Sequence, residues 1–468
     1  IPISVKEGFT KQECSFIIKV FPKATVLDEC SKLLNILSGG RKMNRAIKSV
    51  RAMEVYTKKS HPGIEAVVIT EDGREGRAIC TAGNSVGSHE VKFQYDGGSR
   101  WNGLGVMNAV RSIEEIIAPA IQGLDAADQY LIDEVMLGLR DAGGNKLGGN
   151  ALAAVSAAVL KAGAASLQIP LYRHIGGANA MYLPVPGIGA VNGHKRWGGG
   201  VTTPSGKPSY SFMCHGFQSF AEASYAGWEI QNVWDEMMES IGMGPKDWYG
   251  MYTIPRGVFQ SDEGIWEKMT QAIQKAGYEG RVGIQVDVAS DTYYNPEKKK
   301  YFGLFSDEPK TRDDLMDLYL RAIKEYPFII IEDPFFEDDY ESHALLTSKV
   351  DIQIVGDDLF TTNVERLKKG ADLHAANTML LKVNQIGTMS QAFETIQYAY
   401  KMGYGVMPCE SRGEGTAIAD YCVGINACAV REMATGEVAN RFLEIEQELG
   451  TKARFMGTRG LMGEHFRQ

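Results

Sequence analysis

The chain has 468 residues, of which 44% are hydrophobic and 23% are charged, and its formal net charge is −9. This length predicts two domains, and the acidic balance argues against a nucleic-acid partner, because a phosphate backbone is bound by a basic surface. The seven cysteines are an odd number and contain no C-x-x-C pair, so we predict neither a disulfide framework nor a zinc site.

Residues 1–46 are predicted to be a partly helical N-terminal extension. Its one amphipathic stretch, 26–37, ends at a Ser-Gly-Gly turn, and the first twenty residues contain no apolar signal-peptide core. No apolar run is identified as long enough to span a membrane. We therefore expect a cytoplasmic protein with no membrane partner, and the pattern assigns no function to the extension.

Residues 47–182 are predicted to form an α+β domain. Strand-like runs come first and amphipathic helical runs follow, which is the order typical of that class. The strand-like runs are 50–56, 63–70 and 75–81, and the helical runs are 105–118, 126–137 and 151–167.

Residues 183–468 alternate strand-like and helical runs, which predicts parallel βα units. Their number and the length of the segment favour a (β/α)₈ barrel of the TIM type. The alternative is a doubly wound sheet, but no G-x-G-x-x-G follows an early strand. The strand-like runs are 183–187, 282–288, 328–332, 352–357, 379–383 and 405–408. The overall fold class is thus α/β, with a smaller α+β domain in front of the barrel.

Four charged residues stand at the ends of successive strand-like runs: Asp287, Glu332, Asp357 and Lys382. Twenty-five residues separate Glu332 from Asp357, and again Asp357 from Lys382, which is the length of one compact βα unit. Because the carboxyl ends of barrel strands meet at one mouth, the four side chains should converge there. One acid at a strand end is usually a solvated turn or a helix cap, but four at matching positions predict a site.

Three converging carboxylates repel one another unless a cation binds them, and their hard oxygens favour Mg²⁺, or less often Mn²⁺. A bound cation would lower the pKa of Lys382 through charge repulsion, so this lysine can act as a base. The predicted substrate is a small anionic carboxylate, and removal of its α-proton would leave an enediolate that the metal stabilises.

The same residues lie in segments that resemble the enolase family. The resemblance is carried by IEDPFFEDDY at 331–340, VGDDLFTTN at 355–363 and LLKVNQIG at 380–387, and it extends over roughly residues 47–460. Further matching segments are GGNALAAVS at 148–156, PLYRHI at 170–175, LPVP at 183–186 and IEQELG at 445–450. The resemblance implies an N-terminal α+β capping domain on a modified (β/α)₈ barrel, usually in a homodimer, with domain boundaries at 47–182 and 183–468.

The resemblance also implies roles for individual residues. Asp287, Glu332 and Asp357 correspond to the Mg²⁺ ligands and Lys382 to the base. Ser85, in AGNSVG at 82–87, corresponds to a loop serine that contacts a second Mg²⁺, although a plain turn serine is an equally good interpretation.

Several family segments are changed. The carboxylates expected near YSFM (210–213) and TIPRG (253–257) are missing, and CESRGE (409–414) lacks the family's histidine. Met433 stands where a late lysine is expected, and the histidine of NGHKRW (192–197) is offset from the family pattern. The metal ligands and the base are thus kept, while the acid and much of the substrate-binding shell differ.

Candidates for the changed roles come from the same loops. Glu410 could serve as acid, base or further metal ligand, and Ser411 and Arg412 could bind an anionic substrate group. His194 and Lys195 could do so from the loop at 192–197, although each charge alone is more often solvated surface. Arg196 and Arg256 are weaker candidates of the same kind.

Two functions fit this pattern. The first is a Mg²⁺-dependent carbon–oxygen lyase that forms an enediolate and eliminates a β-substituent, with a phosphorylated substrate possible. The alternative is a catalytically silent homologue that serves as a binding or scaffold protein. Buried acids without a metal would be a liability, which favours the enzyme.

Overall fold

The structure is a computed structural model that describes residues 44–57, 60–83, 86–142, 147–193, 196–198, 207–247 and 250–463. The predicted helix at 26–37 and the candidate residues Ser85, His194 and Lys195 lie outside the described residues. The chain forms two compact units. Of the described residues, the first unit contains those in 44–56, 60–78 and 93–168, and the second contains residue 57 and those in 79–92 and 169–463.

The first unit has the predicted order of strands before helices. Its three-stranded sheet runs in the order β1 (Ile47–Tyr56), β2 (Pro62–Thr70) and β3 (Glu75–Cys80), with β1 antiparallel to β2. Gly73 makes the turn before β3 at φ +79°, a left-handed conformation that glycine adopts without a steric penalty. The α-helices are Met107–Ser112, Ala118–Ile121, Gln129–Ala142 and Gly149–Leu167.

The helix predicted at 105–118 is interrupted. A π-helical turn, Ile113–Ile117, joins Met107–Ser112 to Ala118–Ile121. Pro119 lies at the start of the last segment. Proline has no amide hydrogen and clashes with the carbonyl four residues earlier, so the preceding turn widens.

The helix Gly149–Leu167 is long and apolar enough to cross a membrane, which the sequence analysis did not identify. About 72% of its most hydrophobic window is buried inside the structure. Gly163 lies against the backbone of Ala126, where an added Cβ would come within 2.5 Å of the Ala126 carbonyl oxygen. A core helix of a globular domain accounts for this length and hydropathy, and the helix is only weak evidence for a membrane span.

The second unit is built around a barrel. Its strands in chain order are β4 (Tyr182–Leu183), β5 (Val185–Asn192), β6 (Ser209–Cys214), β7 (Tyr252–Thr253), β8 (Val282–Asp287), β9 (Tyr294–Asn295), β10 (Lys300–Tyr301), β11 (Phe328–Glu332), β12 (Gln353–Gly356), β13 (Thr378–Leu381), β14 (Gly405–Pro408), β15 (Ala429–Val430) and β16 (Arg454–Phe455). The barrel path is β5-β6-β8-β11-β12-β13-β14, and β15 pairs with β5. A parallel bridge between Cys409 and Arg431, just after β14 and β15, closes the barrel.

One barrel strand departs from the predicted parallel arrangement. β6 is antiparallel to both of its neighbours, β5 and β8, whereas the other pairs along the path are parallel. Among the described residues between β5 and β6 there is no helix, and parallel neighbours require a crossover connection of that kind. The barrel therefore begins with a β-hairpin-like pair, and the βα repeat is regular only from β8 onwards.

Amphipathic helices surround the barrel. They are Phe220–Ser240, Glu263–Lys275, Arg312–Glu325, Tyr340–Thr347, Val364–Leu373, Met389–Lys401, Ala417–Ile425 and Gly436–Leu449, with the short helices Leu171–Gly176 and Val383–Ile386. Several begin where a side chain caps the free amides: Thr311 and Asp314 form a capping box, and Thr388 accepts from the Gln391 amide. These caps fix where each helix starts and thereby the lengths of the loops at the barrel mouth.

The second unit should lose stability at mildly acidic pH because of His343, in the helix Tyr340–Thr347. Burial lowers its pKa from about 6.5 to about 4, and its ring contacts the Asp339 carbonyl at 2.8 Å. Between pH 6.5 and pH 4 the unfolded chain therefore binds more protons than the folded chain. The stability that the neutral, buried His343 contributes is complete above pH 6.5 and is lost as the pH falls towards 4. The resulting loss in the free energy of unfolding is about 3 kcal/mol.

A His343→Asn variant should therefore show a shallower loss of unfolding free energy between pH 7 and pH 4.5 than the parent chain. Urea unfolding at several pH values measures this difference. Parallel pH profiles of the two proteins would contradict the prediction.

Candidate active site

The four predicted residues lie at the ends of four adjacent barrel strands. Asp287 ends β8 and Glu332 ends β11, and the two are direct neighbours in the parallel register. Asp357 directly follows β12, and Lys382 directly follows β13. All four side chains are buried, with Lys382 only 4% exposed. The 25-residue spacing thus corresponds to one strand, one helix and their loops, as predicted.

Lys382 and Asp357 form a buried ion pair. Gln385 donates to the other oxygen of Asp357 at 2.8 Å, and the Lys382 amide donates to the Thr362 hydroxyl at 3.0 Å. Burial opposes the charged form of Asp357, but Lys382 outweighs it and lowers the pKa of Asp357 to about 2. Burial likewise opposes the charge on Lys382, but Asp357 raises its pKa above the ordinary value. In this arrangement the lysine is an ammonium ion.

Two cations that the sequence analysis did not assign contact the other acids. Arg431 follows β15, and its Nη1 contacts Asp287 and also lies 3.1 Å from Glu332 Oε2. Lys207, just before β6, also contacts Asp287. Arg431 retains a positive charge near the position where Met433 suggested that a lysine was lost. The rule that charged residues follow barrel strands would have found Arg431, but its strand is only two residues long.

Burial and the neighbouring Arg431 act together on Lys207. Burial lowers the pKa of Lys207, Arg431 lowers it further, and the result is about 8. The sequence before Lys207 is rich in glycine and has no periodic pattern, so it carried no signal for this residue.

The three predicted ligands do not form the tightest acidic group at the mouth. Among the described residues, two sets of potential ligand atoms lie within 4.8 Å of one another. They are Asp333 with Asp357 and Asp358, and His89 with Glu337 and Asp338. Asp287 and Glu332 belong to neither set, and the Arg431 guanidinium contacts both of them.

The first set has a structural explanation. The Asp333 carboxylate accepts from the amides of Asp357 and Asp358 at 3.0 and 2.8 Å, which fixes the turn after β12. Burial and the neighbouring acids raise the pKa of both Asp333 and Asp358 well above the ordinary value. Asp333 is therefore a turn-fixing group, and both acids favour the neutral form.

The second set is engaged in ion pairs and hydrogen bonds near the surface. Arg366 lies 3.0 Å from Asp338 and donates to the Glu337 carbonyl at 2.7 Å, while Ser88 donates to the Glu337 carboxylate. His89 lies 3.2 Å from Asp338. These contacts join the segment that contains His89 to the barrel loops.

Asp287, Glu332 and Asp357 nevertheless suit a hard divalent cation. They offer only carboxylate oxygens, which such cations prefer. Asp287 Oδ1 is buried and has no hydrogen-bond partner among the described residues. A buried carboxylate oxygen normally has one, so this atom is suited to a metal bond.

Arg412 is occupied by another acid. Its Nη1 and Nη2 atoms donate to the two carboxylate oxygens of Glu90 at 2.5 Å each, and both side chains are buried. Gln385 Nε2 lies 3.4 Å from Glu90 and 2.8 Å from Asp357. Arg412 thus holds the segment 79–92 against the barrel and lies one residue away, through Gln385, from a predicted metal ligand. Its place in the CESRGE segment instead predicts a substrate-binding group.

Glu410 and Ser411 lie at the mouth beside Arg412. Glu410 is 9% exposed and accepts from the Gly415 amide at 3.3 Å. The Ser411 amide donates to Glu414 at 3.2 Å. Burial and the charge of Glu410 raise the pKa of Glu414. Glu410 is therefore next to a carboxyl group that resists ionisation.

The two weaker arginine candidates have partners outside the acidic mouth. Arg196 is buried and lies 2.9 Å from both oxygens of Asp262, which also accepts from Trp197 and Tyr210. Arg256 pairs with Asp307 at 2.7 Å in an exposed position. Asp262 thus anchors the loop around Arg196.

Comparisons with known proteins agree with this architecture. Residues 47–175 match the family model "Enolase, N-terminal domain", and residues 180–462 match "Enolase, C-terminal TIM barrel domain". The chain belongs to the enolase family. A protein named Enolase from Methanocaldococcus jannaschii is 39% identical over 424 residues, covering 86% of this chain and 96% of the relative.

Other relatives are similar to the same extent. Enolase from Methanopyrus kandleri is 39% identical, with 87% of this chain and 97% of the relative covered. Enolase from Bifidobacterium longum subsp. infantis is 38% identical, with 88% and 96% covered. These matches confirm the predicted family and the predicted fold, and they make the chain an enolase-type lyase by family.

Proposed function

We propose that this enolase-family chain is a Mg²⁺-dependent lyase acting on a small phosphorylated carboxylate, of which 2-phosphoglycerate is the first candidate. It would remove the α-proton of the substrate and eliminate the β-substituent. One observation carries the proposal: Asp287, Glu332, Asp357 and Lys382 are buried at the ends of four adjacent barrel strands. The naming of the relatives as Enolase supports the same reaction class.

In this proposal Asp287, Glu332 and Asp357 hold the cation, and Ser85 is a candidate for a second one. Carboxylate oxygens favour Mg²⁺, with Mn²⁺ as a substitute. The bound cation would offset the negative charge that proton removal leaves on the substrate carboxylate. Asp287 Oδ1, which is buried without a hydrogen-bond partner among the described residues, supports the assignment of this acid as a ligand.

Lys382 is the proposed base, and its ion pair with Asp357 has a consequence for that role. A base must be neutral, yet Asp357 raises the pKa of Lys382. If Asp357 held a metal, its charge would no longer serve Lys382 as a full counter-ion, so the pKa of the lysine would fall. The ion pair would thus keep the base protonated until the metal site is complete.

The remaining roles are proposed by position. Glu410, which follows β14, is a candidate acid for the leaving group or an additional base, and Ser411, His194 and Lys195 are candidates for binding the substrate anion. Arg412 is paired with Glu90, so we propose that it holds the segment 79–92 rather than binding substrate. A homodimer or higher homo-oligomer and a cytoplasmic location stay predictions.

Metal removal tests the proposal. Phosphoenolpyruvate formation from 2-phosphoglycerate, followed by absorbance, should require Mg²⁺, stop in EDTA and return when Mg²⁺ is added back. A Glu332→Gln variant should lose the thermal stabilisation that Mg²⁺ gives the parent chain, while Glu394→Gln, an exposed acid of the helix Met389–Lys401, should keep it.

If 2-phosphoglycerate is not turned over, the next experiment measures the exchange of α-protons for deuterium from deuterated water in a panel of small carboxylates. If one of these carboxylates exchanges its α-proton while 2-phosphoglycerate is not converted to phosphoenolpyruvate, the enzyme acts on another substrate. No exchange in any acid, with the protein folded and metal-loaded, would contradict the proposed enzyme in favour of a silent homologue.

A further inference from the structure

The chain itself supplies three cations to the three proposed metal ligands. Lys382 contacts Asp357, Lys207 contacts Asp287, and Arg431 contacts both Asp287 and Glu332. We call the three acids, Asp287, Glu332 and Asp357, the carboxylate cradle. The three cationic side chains are at most 10% exposed. Three positive charges therefore balance three negative ones without any metal.

Of the three cations, Arg431 competes most directly with a metal for the carboxylate oxygens. Its Nη1 contacts the two acids that neighbour each other in the β8–β11 register. A guanidinium and a divalent cation both need these carboxylate oxygens, and their like charges repel at such distances. Arg431 contacts Asp287 Oδ2 and both Glu332 oxygens, so a metal bound to Glu332 competes with Arg431 even though Asp287 Oδ1 has no hydrogen-bond partner among the described residues.

The Glu432 carboxylate, outside the cradle, also lies close to Arg431. Its Nε is 3.8 Å from Glu432 Oε1, longer than a hydrogen bond, and Nε is buried with no hydrogen-bond partner among the described residues. Glu432 is more exposed than the cradle acids, with 17% of its side chain accessible. It also lies 3.3 Å from the Ser211 hydroxyl. Glu432 is therefore an alternative carboxylate partner for Arg431 beside the cradle.

We infer that Arg431 is a built-in competitor of the divalent cation, holding Asp287 and Glu332 in the metal-free protein and moving to Glu432 when metal binds. The inference rests on the proposed metal site. It predicts that the observed metal affinity equals the intrinsic affinity multiplied by the fraction of molecules in which Arg431 has left the cradle. Arg431 is then a positioning residue that sets how much Mg²⁺ the protein needs.

Calorimetric titration of Mg²⁺ and Mn²⁺ into the substrate-free full chain tests this. Arg431→Met removes the competitor, so its dissociation constant for metal should fall by about tenfold or more. Arg431→Lys keeps the charge and should stay closer to the parent value. Arg441→Met removes another salt-bridged arginine, paired with Asp420 at 2.9 Å, and should leave the affinity unchanged.

Glu432→Gln gives the opposite change. Without its second partner Arg431 should stay in the cradle, so metal binding should weaken by about threefold or more. A general loss of negative charge near the site would also weaken binding. The two explanations differ in the Arg431→Met background, where Glu432→Gln should have no further effect if the arginine is the intermediary.

The outcomes separate this inference from the proposed function. Unchanged or weaker metal binding by Arg431→Met, in a parent chain that binds Mg²⁺ and turns over substrate, would overturn only the inference. If Arg431→Met does not fold, unchanged binding in Glu432→Gln would overturn it. A parent chain that binds no metal, with no gain in Arg431→Met, would overturn both the inference and the proposed metal site.

Discussion

Replacing Lys382 with alanine should abolish α-proton exchange between substrate and deuterated water, with a loss of about 10³-fold or more, because the variant lacks the proposed base. Substrate binding should change far less, because the proposed anion-binding groups are elsewhere. Exchange followed by NMR, with turnover measured alongside, gives the result directly.

The control for this variant is Lys246→Ala. Lys246 is also salt-bridged, to Asp235 at 2.5 Å, but it lies after the helix Phe220–Ser240 and not at a strand end of the mouth. It should keep full exchange. Lys382→Met retains much of the side-chain volume, so it tests whether the loss of exchange in Lys382→Ala comes from misfolding. Near-parent exchange in folded Lys382 variants would rule out this lysine as the base.

Replacing Arg412 with leucine should destabilise the second unit by about 3–5 kcal/mol, because it leaves the buried Glu90 carboxylate without its bidentate partner. Both side chains of this pair are at most 2% exposed. The Arg412→Leu, Glu90→Leu double variant should recover part of the loss, since no buried charge then stands alone. Urea unfolding of the single and double variants measures the coupling.

Arg256→Leu is the matched control, since its pair with Asp307 is more than half exposed. It should cost no more than about 1 kcal/mol. The same experiment decides whether Arg412 serves substrate instead. A normal unfolding free energy combined with a greatly raised KM would mean that Arg412 binds the substrate anion, as the sequence had suggested.

The position of the site could be predicted from the sequence because, in a barrel, residues that are one βα unit apart in sequence lie on neighbouring strands. Glu332, Asp357 and Lys382 are one βα unit apart, and parallel strands carry their ends to the same mouth. The direction of β6 could not be predicted from the residues alone, because its apolar run has the same composition whichever way the strand points.

The ion-pair partners of the charged residues could not be predicted from the sequence. Arg412 and Glu90 are 322 residues apart, and Arg196 meets Asp262 across 66 residues. A local pattern gives the presence of a charge at a loop but not the acid that it will face. Arg431 was missed for a different reason: its two-residue strand is too short to show periodicity.

The most direct test of the central claim is a crystal structure of the full chain with Mn²⁺, in which anomalous scattering locates the metal. We expect one strong peak bonded to Asp287, Glu332 and Asp357 together, with Arg431 turned towards Glu432. A peak at other residues, or Arg431 still bridging Asp287 and Glu332 beside an unrelated metal, would contradict it.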